Sequence, residues 1–139
     1  MRYTLSKGIE NNADAIKIRK KVFVEEQGFH DEFDEIDKIA WHIIVYENER
    51  PLATGRLYID NATPHIGRVA VLRAERGRQL GKLIIAVLEK KARDMGYAKT
   101  ELSAQLRVVE FYEKLGYAAE GDIYLDEDYP HIKMVKHTD

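Results

Sequence analysis

The sequence predicts a single domain of the α/β class, an α+β mixed sheet of about six to seven strands with helices on both faces. A long amphipathic segment, 80–95, lies between two strand-like segments, 66–71 and 99–104, which is the pattern of a strand-helix-strand unit. The first strand of this unit is the last of three consecutive strand-like segments. Two more strand-like segments follow the unit. A chain of 139 residues is long enough for one core and short for two, so one domain is expected to span 1–139.

The elements before the long helix are predicted from residue type and periodicity. Residues 2–6 are expected to form a short strand, and Asn12 is expected to cap a helix through about Phe23, which a second helical turn at 24–27 can continue. An acidic segment, 29–38, then forms a loop that is either a solvated connector or a lip of a substrate site. Three strands rich in β-branched and aromatic residues follow as an antiparallel meander with turn-forming residues between them. These strands are expected at 40–46, 52–59 and 65–71.

The elements after the meander begin with the clearest helix in the chain. Apolar residues recur at helical spacing from Leu80 to Met95, and Gly96 is placed to end the helix. The strand 99–104 is expected to lie parallel to the strand before the helix, with a right-handed crossover. A short helix ending at Gly116 and a final pair of strands complete the domain. The final strands are expected at 117–124 and 131–135.

Charge and composition exclude several classes of function. Lys and Arg number 22 against 24 Asp and Glu, so the net charge of −2 offers no general attraction to nucleic acid or to an anionic membrane. Basic residues nevertheless gather around one turn, at Arg68, Arg73, Arg76, Arg78 and Lys82. This local positive charge on a mildly acidic protein favours a small anionic ligand over a polymer.

Cysteine usage and hydropathy bear on the cellular environment. Cysteine is absent, which excludes disulfides and cysteine nucleophiles, and no cluster of His and carboxylate residues has the spacing of a metal site. The first ten residues lack the apolar core of a secretion signal, and no apolar run is long enough to span a membrane. We therefore expect a cytoplasmic protein that needs no metal.

The turn Arg76–Lys82 is the strongest candidate for a binding site. It joins the strand 66–71 to the long helix, and Gly77 and Gly81 would let a phosphate approach the N–H groups at a helix N-terminus. The glycine spacing is not that of a Walker A loop, and Gln79 breaks the spacing of a dinucleotide-binding fingerprint. On these residues alone, a tight turn with solvated arginines is the alternative.

In its context this turn resembles the signature of the GNAT superfamily of acetyl-CoA-dependent N-acyltransferases. That signature is a valine-rich strand end and then Arg or Gln, two residues, Gly, one residue and Gly or Ala at the start of a long helix. The strand matches at Val69, Ala70 and Val71, and the turn matches at Arg76 and Gly81. Gln79 stands where the first family glycine is usual, but in ordinary helical geometry its main-chain N–H remains available.

Two further parts of the chain carry the resemblance. Glu110–Tyr117 resembles the short family helix with a Phe-Tyr pair that ends in Gly and an aromatic residue. Arg19–Gln27 and Pro130–Met134 resemble the ElaA-like branch of the superfamily. The resemblance in the order of elements covers nearly the full chain and is compatible with a homodimer.

The resemblance implies a binding mode for acetyl-CoA. The main-chain groups of Val69 and Val71 would pair with the pantetheine arm as with an added strand, and an N–H near Val71 or Ala70 would meet the oxyanion. The strands on either side of the long helix would separate at their ends to admit the acetyl group. The N–H groups that would take the pyrophosphate are those of Arg76, Gly77, Arg78, Gln79, Leu80, Gly81 and Lys82.

Acetyl transfer from a thioester to an amine needs a proton donor for the departing thiolate. The resemblance implies Tyr112 for this role, since a phenol with a reference pKa of about 10 stays protonated at neutral pH. A core tyrosine is the alternative, because Tyr112 shares a helix face with Val108 and Leu115.

The general base is not identified by the sequence. Many family members carry an acid on the strand before the turn, where this chain has Gly67 and Arg68. A water chain is one option in place of a side chain. Gln105 is expected either to line the acceptor cleft or to cap the following helix. The side chains considered as bases are Glu26, His42 and His131.

These observations predict an N-acetyltransferase that moves an acetyl group from acetyl-CoA to an amine of a small molecule or a protein by direct attack. A non-catalytic acyl-CoA-binding or interaction domain on the same fold is the alternative, motivated by Gln79 and by the missing strand acid. A nucleotide-phosphate binder unrelated to CoA is a weaker third interpretation. The acidic stretch 31–35 hints at a cationic acceptor, although solvated loop charge explains it equally well.

Overall fold

The computed structural model of the protein describes residues 1–30 and 32–138, which include a single mixed sheet of seven strands. The strands lie side by side in the order β1-β2-β3-β4-β5-β7-β6, and among these described strands only β4 and β5 pair in parallel. The predicted mixed sheet is therefore confirmed, with shifts of a few residues at the ends of strands. The strands are β1 (Arg2–Lys7), β2 (Trp41–Glu47), β3 (Arg50–Asp60), β4 (Thr63–Val71), β5 (Lys99–Gln105), β6 (Ala118–Asp126) and β7 (Tyr129–His137).

In the described part of the chain, three α-helices and one π-helix accompany the sheet. The α-helices are α1 (Ala13–Arg19), α2 (Leu80–Asp94) and α3 (Val109–Lys114), and the π-helix, Lys20–Glu26, continues α1. Short 3₁₀ turns are found at Ile9–Asn11, Glu35–Lys38, Arg73–Glu75 and Leu106–Val108. Within the described part of the chain, no helix has both the length and the apolar character needed to cross a membrane.

The first helix differs from the sequence prediction at both ends. Asn12 occupies the N-cap position, but its side-chain amide donates to the carbonyl oxygen of Gly8 at 2.7 Å and does not cap the helix. At its other end the chain continues helically to Glu26, as the turn at 24–27 allows, but in π geometry from Lys20 onward. Seven residues of π-helix are unusual, and such segments are frequent at functional sites.

The two faces of the sheet are covered by different helices. Helix α2 buries Ile84, Ile85 and Leu88 against a core that contains Leu57 of β3. Burial of each such side chain stabilises the fold by roughly 1.5–3 kcal/mol. Helix α1 covers the opposite face, where Ile18 packs in a second cluster of buried residues. Helices therefore lie on both faces, as the sequence predicts.

The parallel strands β4 and β5 stay together over only two registered pairs, His65 with Glu101 and Ile66 with Leu102. Just beyond these pairs, β4 carries a β-bulge opposite β3 at Arg68, whose φ is 49°. A bulge bends its strand and interrupts the ladder. The remaining length of β4 thus diverges from β5, and an opening forms between the two strands.

Candidate active site

A cleft of about 860 Å³ begins at the opening between β4 and β5. Its walls are the end of β4, the start of α2, the end of β5, the helix α3 and the segment 22–32. Most site residues expected from the sequence lie along it, whereas Arg78, Glu26 and His42 do not. Those that line the cleft are Val69, Ala70, Val71, Arg76, Gly77, Gln79, Leu80, Gly81, Lys82, Gln105, Tyr112 and His131.

The turn before α2 is tighter than the sequence suggests. Gln79, at the N-cap of α2, has φ 63° and ψ 25°, so the expectation of ordinary helical geometry is wrong at this residue. Gly77 is also left-handed, with φ 85°. The Gln79 side chain makes no capping hydrogen bond, and the N–H groups of a first helical turn have no partner within the helix. The N-terminus of α2 can therefore bind an anion through its main chain.

The left-handed conformation of Gln79 leads to a testable stability difference. A residue with a Cβ atom pays about 1 kcal/mol to adopt this conformation, whereas glycine does not. We expect the free energy of unfolding of Gln79→Gly to be about 0.5–1 kcal/mol higher than that of Gln79→Ala. Both variants lack the glutamine side chain, so the difference between them reports the backbone conformation. Urea denaturation measures the difference. A glycine variant less stable than the alanine variant would contradict the conformation.

The arginines of the turn are engaged by carboxylates. Arg76 donates two hydrogen bonds of 2.8 Å to Glu26, and its Nε donates to the carbonyl oxygen of Val71 at 3.1 Å. Arg78 pairs with Glu47 and with Glu75. Both arginines remain exposed to solvent, and their ion pairs partly neutralise the local positive charge. The main-chain N–H groups and Lys82 are left as the principal anion-binding groups of the turn.

The pairing with Arg76 also weakens Glu26 as a base. The hydrogen bonds from Arg76 lower the pKa of the Glu26 carboxyl. A carboxylate with a lowered pKa takes up a proton less readily, and this one lies outside the cleft lining. Glu26 is better described as the residue that fastens the π-helix to the turn.

Tyr112 lies in the cleft wall and also contacts the core. Its ring packs edge-on against Phe111, with 5.0 Å between centroids, and against Tyr117 at 5.9 Å. Burial raises the pKa of the Tyr112 phenol to about 12. In residues 1–30 and 32–138, no group hydrogen-bonds to its hydroxyl. The packing and catalytic roles considered for Tyr112 are thus compatible, because the ring is held by the core while the hydroxyl stays available.

His131 is the only one of the three side chains considered as bases that lines the cleft. Its Nδ1 lies 2.8 Å from the carbonyl oxygen of Tyr129. A carbonyl oxygen can only accept, so Nδ1 carries the proton, and in the neutral ring Nε2 keeps its lone pair. His42, by contrast, lies outside the cleft with Nε2 3.0 Å from the carbonyl oxygen of Asp37, and burial lowers its pKa.

Gln105 marks the place where β5 meets the π-helix segment. Its amide nitrogen donates to Oε1 of Gln27 at 2.9 Å, and its own Oε1 accepts from Nε of Arg107 at 3.1 Å. Phe29, two residues after Gln27, stacks on Tyr129 at the start of β7 with 4.9 Å between ring centroids. Gln105 therefore lines the cleft and also holds one of its walls.

The acidic loop contains residues that the sequence analysis missed. Glu32 lines the cleft and is only 4% exposed, and its Oε2 accepts from Nε of Arg19 at 2.7 Å. Arg68 places its Nε 3.2 Å from the same carboxylate oxygen. Burial raises the pKa of Glu32. The loop is therefore not a solvated connector at Glu32, although Asp31, which belongs to the same acidic stretch, lies outside the described residues.

A smaller cavity of about 350 Å³ adjoins the cleft at the opening between β4 and β5. It is lined by side chains that alternate with the core residues beneath α2, such as Glu101 and Ser103 on either side of Leu102. Two cavities that meet between separated strands could hold two substrates of one reaction. As far as the described chain extends, no group of three or more His, Asp or Glu side chains is arranged to hold a metal ion.

Comparison with known sequences gives several matches over most of the chain. The model of the family described as Acetyltransferase (GNAT) family matches residues 12–117. YjcF of Bacillus subtilis, described as an uncharacterized N-acetyltransferase, is 35% identical over 139 residues that cover 98% of this chain and 99% of that protein. YyaT of the same organism is 37% identical over 128 residues, which cover 88% and 86% of the two chains.

Comparison with solved structures gives matches over nearly the whole chain. A Lactobacillus plantarum protein is 29% identical with a TM-score of 0.91, and the match covers 99% of this chain and 97% of that one. An acyl-CoA N-acyltransferase from Pseudomonas aeruginosa is 26% identical with a TM-score of 0.87, covering 97% and 98%. ElaA of Escherichia coli, 24% identical with a TM-score of 0.86 over 98% and 99% of the chains, shows likeness of fold alone.

Proposed function

The chain belongs to the acetyltransferase (GNAT) family, and from this membership we propose that it transfers the acetyl group of acetyl-CoA to the nitrogen of an amine. Acyl transfer is the general chemistry of the family. The choice of acetyl-CoA as donor and of an amine as acceptor is our proposal, as are the roles of the residues that follow.

One observation carries the proposal: Tyr112 and His131 both line the cleft that begins at the opening between β4 and β5. Tyr112 reaches it from α3, and His131 reaches it from β7. One of these side chains holds a proton that it can give, and the other holds a lone pair that can take one. An acid and a base in the lining of one cleft suit a reaction in which a proton is lost at one atom and gained at another.

The proposed reaction proceeds by direct attack. The amine nitrogen forms a bond to the acetyl carbonyl carbon, and His131 Nε2 accepts the proton that this nitrogen loses. The oxyanion is met by a main-chain N–H near Ala70 or Val71, on the free part of β4. When the bond between the carbonyl carbon and sulfur breaks, Tyr112 gives its proton to the thiolate. The proton on His131 then returns through water to Tyr112, and the amide and CoA leave.

The main chain of the protein would bind the co-substrate. The free edge of β4 at Val69 and Val71 can hydrogen-bond to the amides of a pantetheine arm, and the N-terminus of α2 can bind the pyrophosphate. Lys82, on the first turn of α2, adds positive charge there.

A direct test is incubation of the protein with acetyl-CoA and a panel of primary amines, with free CoA followed by a thiol reagent. We expect CoA release that depends on the amine. Binding of acetyl-CoA, seen by calorimetry, without turnover of any amine would instead support a non-catalytic acyl-CoA-binding domain. Failure to bind acetyl-CoA would remove the proposal altogether.

The role of His131 can be tested by His131→Gln, which keeps a polar side chain in the cleft but removes the lone pair of Nε2. Loss of a general base typically costs about 10²–10⁴-fold in rate, and we expect kcat to fall by roughly 100-fold. His137→Gln is the matched control, since His137 is an exposed residue at the far end of the same strand. Equal activity of the two variants would exclude His131 as the base.

A further inference from the structure

The two cavities meet where β4 and β5 separate. The larger cleft receives the co-substrate in the proposed function, and the smaller cavity adjoins it at this opening. An acceptor lying in the smaller cavity is therefore next to the site of transfer. The residues that line both cavities are Ile66, Gly67, Arg68, Leu102, Ser103, Asp126 and His131.

Most charged groups around this junction already have partners of opposite sign. Arg68 is paired with Glu32 at 3.2 Å, and Glu101 lies 3.4 Å from Lys99 and 3.5 Å from Lys133. Asp126 differs from them. Among the residues that the structure describes, no cation lies within ion-pairing distance of its carboxylate, although Asp126 lines both cavities. The junction therefore carries one uncompensated negative charge.

Aromatic rings line the wall next to Asp126. Tyr124 lies two residues earlier on β6, so both side chains project from the same side of the strand. The Tyr124 ring is 43% exposed, stacks on His131 at 5.9 Å between centroids, and has its hydroxyl bonded to Ser103. Phe29, which lines the larger cleft, lies edge-on to the same His131 ring at 6.5 Å between centroids. Exposed ring faces attract alkylammonium ions, and the aliphatic chains of these ions pack well against the rings.

We propose that Tyr124 and Asp126 bind the acceptor as a diamine or polyamine, with one ammonium group against Asp126 and the other amino group at His131. This inference rests on the proposed function. The second amino group is required by the chemistry. The attacking nitrogen must be neutral, so the charge that stays beside Asp126 throughout the reaction must be carried by another group of the same molecule.

Three acceptors of equal length test the proposal: 1,5-diaminopentane, 1-aminopentane and 5-aminopentanoate, whose far ends are cationic, neutral and anionic. The measured quantity is kcat/KM for CoA release. After correction for its two equivalent amino groups, we expect the diamine to exceed the monoamine by about 5–30-fold, from one ion pair and one cation–π contact. The aminopentanoate should be the poorest of the three. Raising the salt concentration should reduce the preference for the diamine.

Asp126→Asn and Asp128→Asn form a matched pair of variants. Asp128 lies on the same turn, lines neither cavity and has φ 71°, a conformation that asparagine tolerates well. We expect the preference for the diamine to disappear in Asp126→Asn and to persist in Asp128→Asn. Thermal melts of both variants establish that they fold.

The possible outcomes separate this inference from the proposed function. Turnover of amines without preference for the diamine, or a preference that survives in Asp126→Asn, overturns the inference and leaves the acetyltransferase proposal standing. Turnover of other amines with none of these three also overturns it. Binding of acetyl-CoA with no amine acetylated overturns both.

Discussion

The Tyr112→Phe variant is expected to lose about 10²–10⁴-fold in kcat while it binds acetyl-CoA with nearly unchanged affinity. The phenol is the only group of Tyr112 that can give a proton, and the substitution removes nothing else. Because no described group hydrogen-bonds to this hydroxyl, its loss leaves no buried partner unsatisfied. Stability should therefore stay within about 0.5 kcal/mol of the wild type. Steady-state kinetics, calorimetry with acetyl-CoA and a urea melt measure the three quantities.

Tyr117→Phe supplies the matched control. The rings of Tyr112 and Tyr117 are in contact, but the Tyr117 hydroxyl is buried and lies 2.8 Å from both Thr100 and Glu89. Its removal breaks both hydrogen bonds and leaves Glu89 with Lys136 at 3.2 Å, at a cost of about 1–3 kcal/mol in stability. We expect one variant to lose rate and the other to lose stability. If both lose only stability, Tyr112 is a core residue and the proposed proton donor is wrong.

The raised pKa of Tyr112 sets the pH dependence of this step. Burial disfavours the charged phenolate, so the pKa rises to about 12 and the proton donor stays in its protonated form. Wild-type kcat should therefore not fall through deprotonation of Tyr112 at any pH below about 10. A decrease in kcat that begins near pH 9 in the wild type and is absent from Tyr112→Phe would contradict the raised pKa of Tyr112.

The main elements of the fold could be predicted because their signals are local. Helix α2 shows its apolar face at helical spacing, and β2 and β3 are dense in β-branched and aromatic residues. The family resemblance, carried by the turn Arg76–Lys82 and the segment Glu110–Tyr117, is confirmed by the family model that covers residues 12–117. These features depend on residues close together in the chain, which a sequence displays directly.

The parts of the site that the sequence missed depend on distant partners. Arg19 falls between lysines and looks like a solvated residue, yet it is 1% exposed because Glu32 and Asp37 meet it from 13 and 18 residues away. The left-handed conformation of Gln79 has no signal in its residue type, which does not favour positive φ. Likewise, His131 reaches the cleft because β7 pairs with β5, whereas His42 lies on β2, which pairs with β1 and β3.

Replacement of Arg19 by methionine is expected to lower the free energy of unfolding by about 3–5 kcal/mol, the largest stability effect we predict. The guanidinium donates to Glu32 and to Asp37 at 2.7 Å each, and all three side chains are buried. Methionine fills a similar volume but leaves the two carboxylates with less positive charge around them. The melting temperature should fall by roughly 10 °C or more. Lys17→Met on the same helix is the control, because its side chain is 75% exposed and its ion pair is long, at 3.8 Å.

The pH dependence of this loss distinguishes the ion pairs from simple packing. Burial alone would raise the pKa of Asp37, but hydrogen bonds and charge from Arg19 and Arg56 lower it from 3.8 to about 2. A carboxyl group with a lowered pKa in the folded state stabilises the protein above pH 4, and this stabilisation is lost as the pH falls toward 2. In Arg19→Met the pKa of Asp37 moves back up, so the stability gap to the wild type should narrow between pH 5 and pH 2. A gap that stays constant over this range would assign the loss to packing around Arg19.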